Sequence, residues 1–203
     1  MSAIPPVEAT CTRAAGADAT PLSRAVLAAA TEAVLHRGGW GNPDVLLVHH
    51  AGRRVVVKDY APRSAWVRST IGRWLIAREA CAYDWLQGSP GVPRLIGRLD
   101  AMALVIEYRP GERLSRELAP RLPATFLREL ERRVDAMHGR GVLHLDLRHR
   151  GNILADEDGQ PVLLDFASAI RLSPARAPGR WLLAGLARID HRALDKWRAR
   201  LQP

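Results

Sequence analysis

The stretch VLHLDLRHRGNIL, residues 142–154, sets His144, Asp146 and Asn152 between two apolar ends. Ahead of it, Lys58 closes the apolar run VVVK, and Glu79 follows about twenty residues later. Behind it, Asp165 follows the apolar run PVLL. A strand-end lysine, a glutamate able to pair with it, and carboxylate or amide oxygens at the ends of buried-looking runs are residue types that hold anions, move protons and bind hard cations. Singly, each has an ordinary explanation: a lysine at a strand end usually snorkels to the surface, and an aspartate before phenylalanine often marks a turn. Their order along the chain carries the signal.

The elements that would position them can be read in turn. Thr20-Pro21 is an N-cap followed by proline at the first helical position. PLSRAVLAAATEAVL then repeats Leu22, Val26, Ala29 or Ala30, and Ala33 on one face, which predicts a helix stopped at Gly38-Gly39. DVLLVHH and RRVVVKDY, separated by Ala51-Gly52, predict a β-hairpin. Residues 64–87 predict helix, with Glu79 inside REACAYDWL, and RLIGRLD and MALVIEY predict two more strands turning near Asp100-Ala101. Phe126, Leu127, Leu130, Val134 and Met137 form one stripe of a helix over about 124–138, ended by Gly139 and Gly141. PVLLDF predicts a short strand, and GRWLLAGLARIDHRALDKWRARL a closing basic helical region. Residues 1–19, without periodicity, predict a mobile tail. A sheet-rich first half, residues 20–108, and a helix-rich second half, residues 109–203, meet near Arg109-Pro110-Gly111 and predict a two-lobed α+β layout.

A chain of 203 residues is long enough for a real core. Its 30 Lys+Arg, almost all arginine, against 21 Asp+Glu give a net charge of +9, a surface expected to attract phosphate-bearing partners such as nucleotides, anionic lipids or nucleic acid. An Arg- and Ala-rich composition also follows from a GC-rich genome. Only Cys11 and Cys81 are present, which supports neither a disulfide framework nor a zinc cluster. No apolar run approaches the roughly 18–20 residues of a membrane span. The N-terminus has proline and glutamate where a secretory signal would be basic and apolar. The expected location is the cytoplasm, with room for a peripheral position on the inner membrane.

On VVVK58, Glu79 in REACAYDWL, the connector LVIEYRPG, the segment MHGRGVLHLDLRHRGNIL and the LLDF run, the chain resembles the protein-kinase-like superfamily over about residues 40–170. The resemblance is to its small bacterial and atypical members: RIO kinases, the Kdo and heptose kinases of lipopolysaccharide core, and aminoglycoside-phosphotransferase relatives. It implies a two-lobed kinase-like fold with a trimmed second lobe, ATP as co-substrate, and magnesium or manganese as cofactor. Phosphoryl transfer asks a protein mainly for positioning and charge neutralisation. The resemblance therefore implies that Lys58 grips the α/β phosphates and Glu79 holds Lys58. Asp146 would orient the acceptor hydroxyl and take its proton, Asp165 and Asn152 would hold the metal, and His144 would brace the loop. Backbone groups of the connector Glu107, Tyr108 and Arg109 would meet the adenine edge, and Gly38, Gly39 and Gly41 would lie over the phosphates.

The chain departs from that pattern in four places. Five residues, LRHRG, separate Asp146 from Asn152 where the family has four, so either the loop bulges or the metal role passes elsewhere, with His149 as the alternative. Ala167 follows LLDF in place of glycine. Gly38-Gly39 also reads as a helix C-cap. Leu145 stands where most protein kinases carry an arginine that reads activation-loop phosphate, which argues against that regulation. The expected acceptor is a hydroxyl of a sugar, a lipid-linked sugar or a protein, with an anionic membrane surface as a further partner. The alternatives are a RIO-type Ser/Thr protein kinase and a pseudokinase that binds nucleotide without turnover.

Overall fold

The first helix is shorter than its periodicity predicts. In the computed structural model, which describes residues 22–173, 175 and 177–201, α1 (Arg24–Ala30) stops at Ala30, and Thr31–His36 forms strand β1. The expected tail over residues 1–19, Cys11 and the Thr20-Pro21 cap lie outside the described residues. The strand replaces the second half of the expected helix because its backbone has a better partner. β1 pairs antiparallel with β2 (Asp44–His50) through Thr31↔Val48, Ala33↔Leu47, Val34↔Leu46 and His36↔Val45. β-Branched Thr31 and Val34 suit that edge, and β1 is largely exposed, so no helical stripe had a core to face.

β2 and β3 (Arg53–Asp59) form the predicted hairpin. Its turn places Ala51 at φ 50° and Gly52 at φ 73°, the positive angles that match hairpin twist. β4 (Leu95–Arg98) and β5 (Ala103–Glu107) complete an antiparallel sheet of order β1-β2-β3-β5-β4. Side chains alternate across it. Val55, Val57, Ala103 and Val105 pack with Leu27 of α1, whereas Leu104 and Ile106 face the opposite way. Lys58, adjacent to Val57 in β3, therefore points toward the face covered by α3 (Ile71–Trp85). The helix expected over 64–87 is interrupted: α2 (Ala65–Ser69) ends at Thr70, whose φ of −118° and ψ of −90° lie outside helical space. The Thr70 Oγ1 donates to the Trp66 carbonyl at 2.6 Å, a local bond that competes with the helix ladder.

The second half is built on α4 (Phe126–Gly139), which buries Phe126, Leu130, Val134 and Met137 on the predicted stripe. At about 1.5–3 kcal/mol for each fully buried apolar side chain, that face rather than helix propensity holds α4 in place. Short pairings follow: β6 (Glu112–Arg113) with β8 (Ile153–Ala155), β8 with β9 (Pro161–Leu163), and β7 (Val142–Leu143) with β10 (Ile170–Arg171). The closing region is one helix, α5 (Ala177–Leu201). No helix among the described residues is long and apolar enough to cross a membrane. The whole is α+β, with antiparallel sheets and helices. Its main hydrophobic cluster is continuous across the seam at Arg109, running from Tyr60 and Ile76 to Phe166 and Trp197.

Candidate active site

Strand parity and helix register bring Lys58 and Glu79 together. The Lys58 Nζ donates to Glu79 Oε1 at 2.6 Å and to Asp165 Oδ1 at 2.8 Å. Lys58 and Glu79 are nearly sealed, with side chains 10% and 3% exposed, while the Asp165 side chain keeps 45% of its surface. Burial disfavours the Lys58 ammonium, but Glu79 and then Asp165 outweigh it and raise its pKa. Burial pushes the Glu79 carboxyl up to about 7 against the pull of Lys58. For Asp165 the balance reverses: burial opposes its charge, but Lys58 holds its carboxyl below the ordinary carboxylate range. The ammonium thus serves two carboxylates, and the more open one keeps its charge more readily. Asp165 is itself unusual, at φ 62° and ψ 73°, with its backbone N–H donating to the buried Tyr83 hydroxyl at 3.3 Å.

The loop after β7 gathers the second set. The Asn152 Nδ2 donates to both the carbonyl and the Oδ2 of Asp146, at 2.9 and 3.0 Å. The additional loop residue is absorbed by a 3₁₀ turn, Arg150–Asn152, capped by His149 Nδ1 accepting from the Gly151 N–H at 3.2 Å. His149 therefore serves its own turn, and Asn152 comes back to Asp146. Asn152 spends its N–H groups on Asp146, which leaves its carbonyl oxygen as the remaining polar atom. The backbone carbonyl of Asn152 accepts from the Leu164 N–H at 2.8 Å, tying the loop to the residue before Asp165.

His144 braces this arrangement. Its Nε2 lies 2.9 Å from the Leu164 carbonyl, and its Nδ1 is 3.3 Å from the Asp146 N–H. These partners fix a neutral ring that carries its proton on Nε2. Burial lowers its pKa from the ordinary 6.5, although the Leu164 carbonyl and nearby carboxylates pull the other way. The unfolded chain therefore binds this proton first, so the group's contribution to stability is complete above pH 6.5 and is lost as pH falls below it. The denaturant midpoint is expected to drop between pH 7.5 and 5.5, and less steeply in His144→Asn. Parallel slopes for the two proteins would show that His144 is not the group responsible.

Asp190 was missed by sequence reasoning and is the hub of the loop. It is fully buried; its Oδ1 accepts from the Leu145 N–H at 2.8 Å, and its Oδ2 accepts from the His144 N–H at 2.9 Å and lies 3.0 Å from His138 Nε2. Leu145 sits at φ 66°, a conformation that costs a non-glycine residue free energy and persists only when its surroundings impose it. Trp197, also in α5, donates from Nε1 to the Leu147 carbonyl at 2.8 Å. The available signal was an aspartate at the 3–4 spacing of an otherwise apolar stripe, Asp190, Ala193, Leu194 and Trp197.

Gly38, Gly39 and Gly41 lie between β1 and β2, which removes the helix C-cap reading. A side chain at Gly38 would run into the Asn42 carbonyl, so only glycine fits there. Arg63 clamps this turn through the Gly38 and Gly39 carbonyls and Asp44. At the connector, the Arg109 side chain is drawn toward Glu107 and Asp156, at 3.6 and 3.8 Å. Among the described residues, no acceptor meets the Arg109 backbone N–H. Tyr108 is half-buried between them.

No family model and no curated protein matches the chain, so the reading of this site rests on its geometry.

Proposed function

We propose that the chain is a kinase that transfers the γ-phosphoryl group of ATP to a hydroxyl. The observation that carries this reading is the Lys58 ammonium bridging Glu79 and Asp165, beside a loop that holds Asp146 and Asn152 together. In this reading the molecule is two-lobed and kinase-like, with residues 20–108 gripping nucleotide and a trimmed second lobe, 109–203, carrying the loop. Lys58 takes the α/β phosphates, while Glu79 keeps it aimed. The turn amides of Gly38, Gly39 and Gly41 approach the phosphates. The Glu107 carbonyl and the Arg109 N–H take the purine edge.

Asp146 accepts the acceptor's hydroxyl proton as the new P–O bond forms and the bond to the β,γ-bridging oxygen breaks, releasing ADP. Magnesium or manganese, when bound, neutralises charge on the phosphates. The donors this chain offers it are the half-exposed Asp165 carboxylate and the side-chain Oδ1 of Asn152, hard oxygen ligands of the right class.

Thermal melting with magnesium and ATP tests the reading. Nucleotide at ten times its dissociation constant contributes about 1.4 kcal/mol to stability, a shift of a few degrees. Lys58→Met is expected to weaken nucleotide at least tenfold and to lose that shift, and Glu79→Gln to lose less of it. No shift at millimolar nucleotide, or the same shift in Lys58→Met, would overturn the assignment.

A further inference from the structure

We infer that the hydroxyl-bearing acceptor carries phosphate of its own, gripped by an arginine-lined groove beside the Asp146 loop. This rests on the phosphotransferase reading for the acceptor's role, but the groove is a separate observation.

The groove encloses about 790 Å³, the size of a small-molecule site, and its lining includes Arg113, Arg116, Arg148, Arg150 and Arg200. These arginines come from three places in the fold: β6 and the turn after it, the Asp146 loop, and the end of α5. No single charged run of sequence brings them together. Their backbones are fixed by the core. β6 pairs with β8 through Arg113↔Leu154, and the Leu114 N–H donates to the Ile153 carbonyl at 3.0 Å. Arg200 stacks on the buried Trp197 ring at 5.3 Å, the same tryptophan that clamps Leu147.

Charge in the groove is unbalanced. Glu117, near Arg150 and Arg116, is its one carboxylate among the described lining residues. Among the described residues, Arg113, Arg116 and Arg150 form no ion pair, and Arg148 approaches only Asp146, with its Nε 4.0 Å from Oδ1. Like charges gathered in a concavity repel one another and are relieved by an anion. Arginine's planar donor fork suits phosphate oxygens in particular. None of Lys58, Asp165, Gly38 or Arg109 lines the groove, so it is not the nucleotide grip seen from another side.

Its position gives it a use. Arg148 also lines a second groove, of about 320 Å³, together with Arg192 and Lys196. Arg192, Lys196 and Arg200, four residues apart along α5, make one basic stripe that passes the loop. A phosphate held there sets a hydroxyl of the same molecule at the Asp146 carboxylate. A concavity of this volume takes a sugar phosphate or a single phospholipid headgroup rather than a nucleic-acid strand.

The test is binding without nucleotide. Calorimetry compares glucose 6-phosphate with glucose, and co-sedimentation compares phosphatidic acid vesicles with phosphatidylcholine vesicles, each on the wild type and on Arg116→Gln/Arg150→Gln. These side chains are exposed, so the variant should fold. At least one phosphorylated probe should bind tenfold or more tighter than its neutral counterpart, weaken as salt rises, and lose at least tenfold in the variant. The arm that responds identifies a soluble or a lipid-borne phosphate. Equal binding of phosphorylated and neutral probes, or an unaffected variant, overturns the inference. So does a 20-nucleotide RNA that binds the groove more tightly than both. Lys58→Met, which removes the nucleotide grip, should keep the anion binding. Failure of the kinase reading would then show in ATP binding alone, and failure of this inference in anion binding alone.

Discussion

Asp146→Asn is expected to lower ATP turnover by about 10³-fold, within the range for loss of a general base, while leaving the stabilisation by magnesium and ATP intact. The two halves of that outcome come from different parts of the geometry. The Asn152 Nδ2 bonds to the Asp146 carbonyl and Oδ2, and an asparagine at position 146 keeps both a carbonyl and a side-chain oxygen for it. The loop should therefore hold its shape, and what disappears is the ability to take a proton. In the proposed function nucleotide is gripped elsewhere, at the ion triad of Lys58, Glu79 and Asp165. Asp165→Asn should behave in the opposite way, removing an anionic ligand and reducing the magnesium dependence of nucleotide binding. Single-turnover transfer and melting curves with magnesium and ATP separate the cases. An Asp146→Asn protein within tenfold of wild-type turnover would remove Asp146 from the chemistry.

The parts of this site that could be read from sequence are those in which one residue sits at the end of a local pattern. Lys58 ends a β-branched run, and the alternation of that run decides which face it occupies. Glu79 lies in a periodic helix, and the pair then needs only the sheet to bring them within 2.6 Å. The additional residue before Asn152 could be counted, but its accommodation could not, because it depends on His149 capping a 3₁₀ turn. The helix expected through Leu35 failed for a related reason. Thr31–His36 satisfies a helical pattern locally, and only the presence of β2 beside it decides for a strand. The arginine groove and the Asp190 hub are assembled from segments about 30 to 90 residues apart, and no short window of sequence contains either one.

Asp190 gives the largest expected effect outside the residues proposed to meet substrate. Asp190→Ala leaves the His144 and Leu145 N–H groups and His138 Nε2 without their acceptor, in a place where water does not reach. Stranding buried polar groups of this kind costs about 1–3 kcal/mol each, and removal of one partner from a buried charged network typically costs about 3–5 kcal/mol in all. Set against a total stability of about 5–15 kcal/mol, that loss is large enough to melt the protein near physiological temperature. Asp190→Asn is the sharper test because it fills the same space and keeps one carbonyl oxygen. Its NH2 group can accept from neither backbone N–H, so one of the two donors is left without an acceptor, and Leu145 loses part of what holds it at φ 66°. A loop released there relaxes toward ordinary φ and carries Asp146 with it, while Lys58 and Glu79, anchored in β3 and α3, stay where they are. The variant should therefore lose turnover by about 10²-fold through kcat, with the KM for ATP and the shift produced by magnesium and ATP nearly unchanged, since misplacing a reactive group costs about that much. A uniform loss, with kcat intact once the folded fraction is corrected for, would make Asp190 a packing residue and nothing more.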